Sequence, residues 1–206
     1  MQIKRFSVGY LQTNCYVITT SNSDNAVLID VGGGYDRVKA YLDKIEKKPT
    51  IVLLTHGHFD HILDANKWQK DGAKLYIHEE DAITLSGEHS LAKEMRLKLT
   101  PTTADVILRD GDEIQLDELN FKVMHTPGHT LGGVCYVLND KYIFSGDTIF
   151  CESYGRTDFY GGDISILKSS IVDKVFSLEG DYVIYPGHGE STTLRDEKKY
   201  NPILFL

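Results

Sequence analysis

Residues 51–62 read Ile51-Val52-Leu53-Leu54-Thr55-His56-Gly57-His58-Phe59-Asp60-His61-Ile62, a stretch in which a short apolar run leads directly into a cluster of histidines. His56, His58, Asp60 and His61 bring three imidazoles and one carboxylate into six positions. A mixture of imidazole and carboxylate suits Zn²⁺, with iron or manganese as alternatives. A polar loop that caps a buried strand is the other interpretation of this stretch, and the rest of the chain decides between the two.

The composition limits the class of protein. With 206 residues, of which 41% are hydrophobic and 25% charged, the chain is typical of a globular protein and is predicted to form one domain over residues 1–206. The net charge of −8 argues against nucleic-acid binding, and no apolar run approaches the roughly 20 residues of a membrane helix. The three cysteines form no CxxC pair, which favours a reducing cytoplasm over a disulfide framework.

Hydrophobic periodicity predicts strands that alternate with helices. The predicted strands are 2–8, 14–20, 25–31, 50–54, 74–77, 106–108, 113–116, 121–125, 134–138, 141–144 and 182–185. The predicted helices are 36–46, one capped by Asp60, a short one from Glu79, 91–99, one capped by Asp163, and 192–200. Residues 79–103 are interpreted as a lid or an edge. The alternation predicts an α/β architecture with mixed sheets covered by helices.

Four of the predicted strands end in the same way, with a His or Asp carried on a loop that contains glycine. Strand 50–54 leads into the histidine cluster, and the other three lead into Thr126-Pro127-Gly128-His129, Ser145-Gly146-Asp147 and Pro186-Gly187-His188. Side chains at such strand ends can converge on one crevice. The candidate metal ligands are therefore His56, His58, Asp60, His61, His129, Asp147 and His188.

Seven ligands are more than one ion needs. A catalytic zinc takes about three protein ligands and leaves one position open. Seven ligands with one bridging carboxylate fit two divalent ions about 3.5–4 Å apart that share a water. Zn²⁺ is the predicted metal, although Fe and Mn tolerate the same ligands. Two such ions lower the pKa of the shared water toward about 7, which yields a hydroxide nucleophile at neutral pH.

The motif His56-x-His58-x-Asp60-His61, followed in order by His129, Asp147 and His188, resembles the metallo-β-lactamase superfamily and most of all its glyoxalase II-like branch of hydroxyacylglutathione hydrolases. The resemblance runs from Leu28-Ile29-Asp30 to Pro186-Gly187-His188. It implies a four-layer αββα sandwich of two mixed sheets flanked by helices, with the metals at one edge of the sheets.

The same resemblance implies the role of each ligand. His56, His58 and His129 would bind the first metal, Asp60, His61 and His188 the second, and Asp147 would bridge the two. Asp30 matches the turn aspartate of the family, which supports the metal loops from behind the ligands.

The chain also departs from glyoxalase II. Only 18 residues follow His188, so the helical C-terminal domain that helps to hold glutathione is expected to be missing. The family's tyrosine after its last metal histidine is replaced by Gly189-Glu190. Residues 155–159, Gly155-Arg156-Thr157-Asp158-Phe159, resemble small single-domain members of the branch and equally the persulfide dioxygenases. Arg156 falls where glyoxalase II has a substrate-facing lysine, so it is the predicted contact for a substrate carboxylate.

Hydrolysis of a small thioester is the predicted reaction, with Asp60 and Asp147 as the catalytic carboxylates beside a metal-bound hydroxide. The leaving thiolate has a thiol pKa of about 8.5 and departs without a strong acid. A lactam nitrogen would need protonation, and the sequence offers no dedicated acid besides the metal-bound water and Asp60. The carrier thiol, the acyl group and the oligomeric state are left open by the sequence.

Two other functions fit parts of the pattern. A mononuclear Fe(II) persulfide dioxygenase would use His56, His129 and Asp147 as a facial triad, and the resemblance of residues 155–159 motivates this alternative. A non-catalytic binding protein on the same fold would usually have lost ligands, and here the set is complete.

Three basic residues and two further histidines lie in the irregular region around residues 78–103. Lys93, Arg96 and Lys98 could present an anionic-substrate surface on a lid, with a solvated helix face as the simpler alternative. His78 and His89 are predicted to be solvated.

Overall fold

The computed structural model of the protein describes every residue, Met1–Leu206. The chain forms two compact units. The first unit contains Met1–Ile77 and Ala82–Ile107, and the second contains His78–Asp81 and Leu108–Leu206. Each unit is built around one six-stranded sheet.

The first sheet is mixed. Its strands, in chain order and in spatial order, are β1 (Gln2–Val8), β2 (Thr13–Thr19), β3 (Asn25–Ile29), β4 (Lys48–Leu53), β5 (Lys74–His78) and β6 (Val106–Leu108). β1, β2 and β3 pair antiparallel, whereas β3, β4 and β5 pair parallel. Because β3, β4 and β5 point the same way, the loops that follow them lie at one edge of this sheet.

Helices cover one face of the first sheet. Helix α1 (Tyr35–Lys44) buries Val38 and Leu42, which are four positions apart and therefore share a face. Helix α3 (Ala65–Lys70) buries Trp68 in the same hydrophobic cluster, together with residues of β2 to β5. Burial of each such side chain contributes about 1.5–3 kcal/mol.

The helix that follows the histidine cluster differs from its prediction. Asp60 does not cap it, because His58, two residues earlier and in extended conformation, occupies the N-cap position of helix α2 (Phe59–Ile62). The Asp60 carboxylate instead accepts a hydrogen bond from Thr13 Oγ1. The predicted single helix is also interrupted after Ile62. Two short helices, α2 and α3, take its place, and Asp64 is the N-cap residue of α3.

Residues 79–103 contain one helix where two were predicted. A 3₁₀ helix spans Glu79–Ser86, but the helix predicted at residues 91–99 is absent and turns take its place. His89, Leu91 and Arg96 have positive φ angles of 56°, 65° and 55°, a conformation that L-residues do not adopt within a right-handed helix. The backbone of this segment meets helix α2, since Phe59 N–H donates to Ser90 O over 2.7 Å.

The second sheet is mixed as well. Its strands in chain order are β7 (Glu113–Leu116), β8 (Leu119–His125), β9 (Val134–Leu138), β10 (Tyr142–Gly146), β13 (Val183–Pro186) and β14 (Thr192–Thr193), and their spatial order is β14-β13-β10-β9-β8-β7. β10 and β13 pair parallel and all other neighbours pair antiparallel. The predicted turn between β9 and β10 is confirmed, because Asn139 and Asp140 have φ of 50° and 49°, as a tight hairpin requires.

Helices and a small hairpin complete the second unit. Asp163 caps α4 (Ile164–Ser169) by accepting from the N–H groups of Ser165 and Ile166, as predicted, and the helix continues as a π-helical turn over Ser170–Val175. Helix α5 (Leu194–Tyr200) packs with α4 against β9, β10 and β13. The hairpin consists of β11 (Ile149–Phe150) and β12 (Ser153–Tyr154), and a 3₁₀ helix over Pro202–Phe205 follows α5.

The α/β prediction of mixed sheets with helices is therefore confirmed in both units. One domain over residues 1–206 stays a prediction. No helix combines the length and the apolar character that crossing a membrane requires.

Candidate metal centre

The histidine cluster of the first unit is compact and buried. It follows β4, whose last residue is Leu53, and all four of its ligand-type side chains are shielded from solvent. The ring of His56 lies 4.8 Å from that of His58 and 4.0 Å from that of His61, measured between centroids. Nε2 of His61 lies 3.4 Å from Oδ2 of Asp60.

A buried carboxylate sets the tautomer of His61. Asp30, which follows β3 at the same edge of the sheet, places Oδ2 2.8 Å from Nδ1 of His61. Since a carboxylate only accepts hydrogen bonds, Nδ1 carries a proton, and in the neutral imidazole the lone pair is therefore on Nε2. The contact that the sequence predicted between Asp30 and the metal loop is thus present.

The same carboxylate orients His56 through Thr55. The Thr55 hydroxyl donates to Asp30 Oδ2 over 2.8 Å, and the Thr55 N–H donates to Asp30 Oδ1 over 2.8 Å. A hydroxyl has one proton, so the 3.1 Å contact between Thr55 Oγ1 and His56 Nδ1 has the histidine as donor. His56 therefore also has its lone pair on Nε2.

Asp60 is held by contacts with the start of β2 and with the loop that follows β3. Thr13 Oγ1 donates to Asp60 Oδ2 over 3.0 Å. The backbone of Gly32 approaches so closely that a Cβ at this position would lie 1.3 Å from the carbonyl oxygen of Asp60. Glycine at position 32 is therefore required for α2 to reach this place.

The second unit contributes His129, Asp147 and His188. They follow β8, β10 and β13, three strands that point the same way, so their loops share one edge of the second sheet. Asp147 Oδ2 lies 3.6 Å from Nε2 of His129 and 3.5 Å from Nε2 of His188. One carboxylate thus faces both histidines.

His129 is oriented by a backbone carbonyl. Its Nδ1 lies 2.7 Å from the carbonyl oxygen of Arg156, which can only accept, so Nδ1 carries the proton and Nε2 the lone pair. The preceding Gly155 leaves no room for a side chain, because a Cβ there would lie 1.8 Å from Asp147 O and 3.1 Å from His129 Nδ1.

The side chain of Arg156 is engaged elsewhere. Its guanidinium donates twice to the Asp158 carboxylate, at 2.6 Å each, and its Cζ lies 4.1 Å from the ring centre of Phe159. This ion pair lowers the pKa of Asp158 to about 2 and raises the pKa of Arg156. The role of Arg156 as a substrate contact stays a prediction, whereas its carbonyl has the observed contact with His129.

The donor set fits divalent metal ions. All seven predicted ligands belong to groups of three His or Asp side chains that could hold an ion. In two places a histidine with its lone pair on Nε2 faces a carboxylate oxygen, at 3.4 Å for His61 and Asp60 and at 3.6 Å for His129 and Asp147. For neutral imidazoles two lone pairs face each other and repel unless a cation lies between them, and imidazole nitrogen with carboxylate oxygen is a common ligand set for Zn²⁺.

Several contacts that orient the candidate ligands were not predicted from the sequence. The contact of Thr55 with His56 could have been predicted, because Thr55 directly precedes His56 in the sequence. The contacts of Thr13 with Asp60 and of the Arg156 carbonyl with His129 could not, because the partners lie 47 and 27 positions apart in the sequence. A backbone carbonyl has no side-chain identity to recognise.

Comparison with known proteins agrees with this geometry. The family model of the metallo-beta-lactamase superfamily matches residues 8–188. A Haemophilus influenzae protein named hydroxyacylglutathione hydrolase GloC is 33% identical, over 99% of this chain and 98% of the relative. The crystal structure of the BLEG-1 B3 metallo-beta-lactamase superposes with a TM-score of 0.91 at 33% identity, covering 98% of this chain and 99% of that one.

A third comparison bears on the metals. The crystal structure of TTHA1623 in a di-iron-bound form has a TM-score of 0.86 and 32% identity, and covers 98% of this chain and 100% of that one. The fold predicted from the sequence is confirmed by these likenesses. The chain belongs to the metallo-β-lactamase superfamily.

Proposed function

We propose that the protein is a dinuclear metallohydrolase that cleaves a small thioester. His56, His58 and His129 would hold one ion, Asp60, His61 and His188 the other, and Asp147 would contact both. The observation that carries the proposal is the pair of lone-pair nitrogens, on His61 and His129, that face carboxylate oxygens at 3.4 and 3.6 Å. The di-iron-bound form of a relative at 32% identity supports two ions per chain.

Divalent ions supply Lewis acidity, which activates water near neutral pH and polarises a carbonyl. The residues of the chain supply orientation and proton transfer. Asp30 and the Arg156 carbonyl hold the protons on the Nδ1 atoms of His61 and His129, so each Nε2 keeps its lone pair. Asp60 and Asp147 are the carboxylates that would accept the proton lost by the attacking water.

In the proposed reaction the water oxygen bonds to the acyl carbon and the carbon–sulfur bond breaks. The sulfur leaves with the bonding electron pair as a thiolate and then takes up the proton that the carboxylate accepted from the water, so the products are a carboxylic acid and a thiol. A thiolate with a thiol pKa of about 8.5 leaves without an acid beside it. A relative named hydroxyacylglutathione hydrolase at 33% identity supports this class of substrate.

β-Lactam hydrolysis is a second candidate because a solved structure at 33% identity is a B3 metallo-beta-lactamase. The leaving group would then be an amide nitrogen, which must be protonated as the bond breaks. The sequence offers no dedicated acid for that step, so the thioester is the better substrate.

A mononuclear Fe(II) persulfide dioxygenase is the third candidate, supported by residues 155–159. It would use His56, His129 and Asp147 and leave four of the seven candidate ligands without a catalytic role, namely His58, Asp60, His61 and His188. A non-catalytic binding protein would leave all seven candidate ligands without a catalytic role.

Metal analysis of the purified protein, paired with an activity panel, tests the proposal. We expect close to two ions per chain and turnover of acyl thioesters, with little turnover of a chromogenic β-lactam and no oxygen uptake with a thiol persulfide. His188→Ala should leave about one ion and lower kcat by 10²-fold or more. Two ions without turnover on any acyl thioester would overturn the proposal, and about one iron per chain with persulfide-dependent oxygen uptake would favour the dioxygenase.

A further inference from the structure

Asp81 is a buried carboxylate outside the proposed ligand set. It lies in the 3₁₀ helix Glu79–Ser86, directly after β5, and is only 3% exposed. Its Oδ2 accepts a hydrogen bond from Thr130 Oγ1 over 2.8 Å, and its Oδ1 accepts from Gly132 N over 2.7 Å. Both donors belong to the loop that follows His129.

The backbone of this loop is in close contact with Asp81. A Cβ at position 132 would lie 2.6 Å from Asp81 N and 2.8 Å from Asp81 Cβ. Only glycine allows this approach, so the loop and the 3₁₀ helix fit against each other without space for adjustment.

The other side of the loop is held by the helix α4 region. Gly128 O accepts from Asp163 N over 2.9 Å, and Pro127 O accepts from Ser170 Oγ over 2.7 Å. These contacts fix the entry to the loop, before His129. Asp81 fixes the exit, after His129, where Thr130 and Gly132 contact it.

We propose that Asp81 is a positioning residue that holds the His129 loop in the conformation in which the histidine binds its metal ion. The proposal rests on His129 being a metal ligand, as in the proposed function. An ionised acceptor makes stronger hydrogen bonds than a neutral one, and a buried carboxylate is costly unless such bonds satisfy it. A loop ordered before the ion arrives does not lose conformational freedom when it binds, so the affinity for the ion is higher.

Asp105 of the first unit is a control that is matched to Asp81 in its hydrogen bonds, although it is exposed where Asp81 is buried. Its Oδ2 accepts from one backbone N–H, that of Leu75, and from one side chain, Gln69 Nε2, at 2.8 Å each. It therefore makes the same two types of hydrogen bond as Asp81, at the start of β5, where no predicted ligand lies.

The experiment measures Zn²⁺ affinity by chelator competition on metal-free protein, for the variants Asp81→Ala, Asp81→Asn, Thr130→Val and Asp105→Ala. We expect Asp81→Ala to weaken binding of at least one ion by tenfold or more, the range found when residues that orient metal ligands are removed. Asp81→Asn should recover part of the loss, because its amide oxygen can still accept from Gly132 N. Asp105→Ala should bind Zn²⁺ within twofold of the wild type.

Wild-type affinity in Asp81→Ala, or an equal loss in Asp105→Ala, would overturn the proposal. If Asp81→Ala does not fold, Thr130→Val decides, because it removes one hydrogen bond and keeps that of Gly132. A loss of threefold or more then supports the proposal, and wild-type affinity overturns it. Since the readout needs no substrate, absence of thioester turnover would count against the proposed function and not against the role of Asp81.

Discussion

Oδ2 of Asp30 lies 2.8 Å from Nδ1 of His61, and the same oxygen accepts the hydroxyl of Thr55. Through Thr55, Asp30 also determines which nitrogen of His56 carries its proton. One carboxylate thereby orients two predicted ligands of different ions. Asp30 achieves this in a left-handed backbone conformation, with φ of 54°, that a non-glycine residue seldom adopts.

Asp30→Asn should weaken metal binding by about 10–100-fold. The amide offers one acceptor and one donor group where the wild type has two acceptors, so the carboxylate's three contacts cannot all be kept. If the amide oxygen accepts from Thr55 N–H, the amide NH₂ faces the Thr55 hydroxyl and His61 Nδ1, and a His61 that moves its proton to Nε2 cannot bind a metal through that atom. In the opposite orientation the amide NH₂ faces the Thr55 N–H, which loses its acceptor.

Metal affinity of Asp30→Asn is measured by chelator competition. Asp43→Asn is the control, since Asp43 is 65% exposed and its contact is a surface ion pair with Lys39 at 3.6 Å. Unchanged affinity in Asp30→Asn would show that the tautomer of His61 does not depend on this carboxylate.

Gly155→Ala should lower both stability and metal content. The new Cβ would lie 1.8 Å from the carbonyl oxygen of Asp147, so the backbone must move and His129 loses its contact with the Arg156 carbonyl. Overpacking of this kind costs about 1–3 kcal/mol. Chemical denaturation and metal analysis measure the two effects.

Gly72→Ala is the comparison for Gly155→Ala, because nothing lies within 4 Å of a Cβ at position 72. It should lose some stability, since Gly72 has φ of +97°, but it should retain its metal. Full metal content in Gly155→Ala would argue that the loop tolerates the added methyl group.

Reversal of three charges tests the predicted anionic-substrate surface. Lys93, Arg96 and Lys98 are exposed in a chain of net charge −8. Their segment contacts helix α2 through the hydrogen bond from Phe59 to Ser90. Changing all three to Glu should raise KM for a glutathione thioester about tenfold at low salt, and the effect should shrink as ionic strength rises.

A neutral thioester of N-acetylcysteamine should show no such rise. The matched variant reverses Lys4, Lys44 and Lys48, three exposed lysines of the first unit, and should leave KM within twofold. An unchanged KM for the glutathione thioester in the first variant would mean that the segment does not contact the substrate.

We expect the protein to lose stability in mild acid because His78 is buried and has a lowered pKa. The sequence suggested a solvated side chain, which is wrong, because His78 is 3% exposed and stacks on His125 with ring centroids 4.0 Å apart. Burial, and after it the neighbouring His125, lowers the pKa of His78 from 6.5 to about 4, against opposing contributions from Glu79, Asp110 and Asp112. The unfolded chain binds the proton first as pH falls, so stability is lost between about pH 6.5 and pH 4.

His78→Phe keeps a stacked ring and removes the titrating group. The free energy of unfolding of metal-free protein, measured at pH 7, 5.5 and 4.5, should therefore fall less steeply for His78→Phe than for the wild type. His89→Phe changes an exposed histidine and should follow the wild-type slope. Parallel slopes for wild type and His78→Phe would show that His78 does not titrate in this range.

Periodicity predicted most elements because their positions follow from local pattern. β1 has the predicted bounds, and Asp163 caps α4 as expected. Prediction failed where contacts distant in sequence decided the outcome. Asp60 has the residue type of a helix cap, but Thr13 binds its carboxylate and His58 takes the cap position. Residues 91–99 have helical periodicity, but His89, Leu91 and Arg96 have left-handed backbone angles.

The sequence by itself determined the family, the α/β class and the candidate ligands, because histidines and aspartates at the ends of apolar strands are legible as local motifs. Only the tertiary structure decided which nitrogen of His56, His61 and His129 carries the lone pair. That choice depends on Asp30, Thr55 and the Arg156 carbonyl, whose contacts with these rings are mostly distant in sequence. A hydrogen bond depends on distance and direction in space, and neither is encoded in the spacing of residues along the chain.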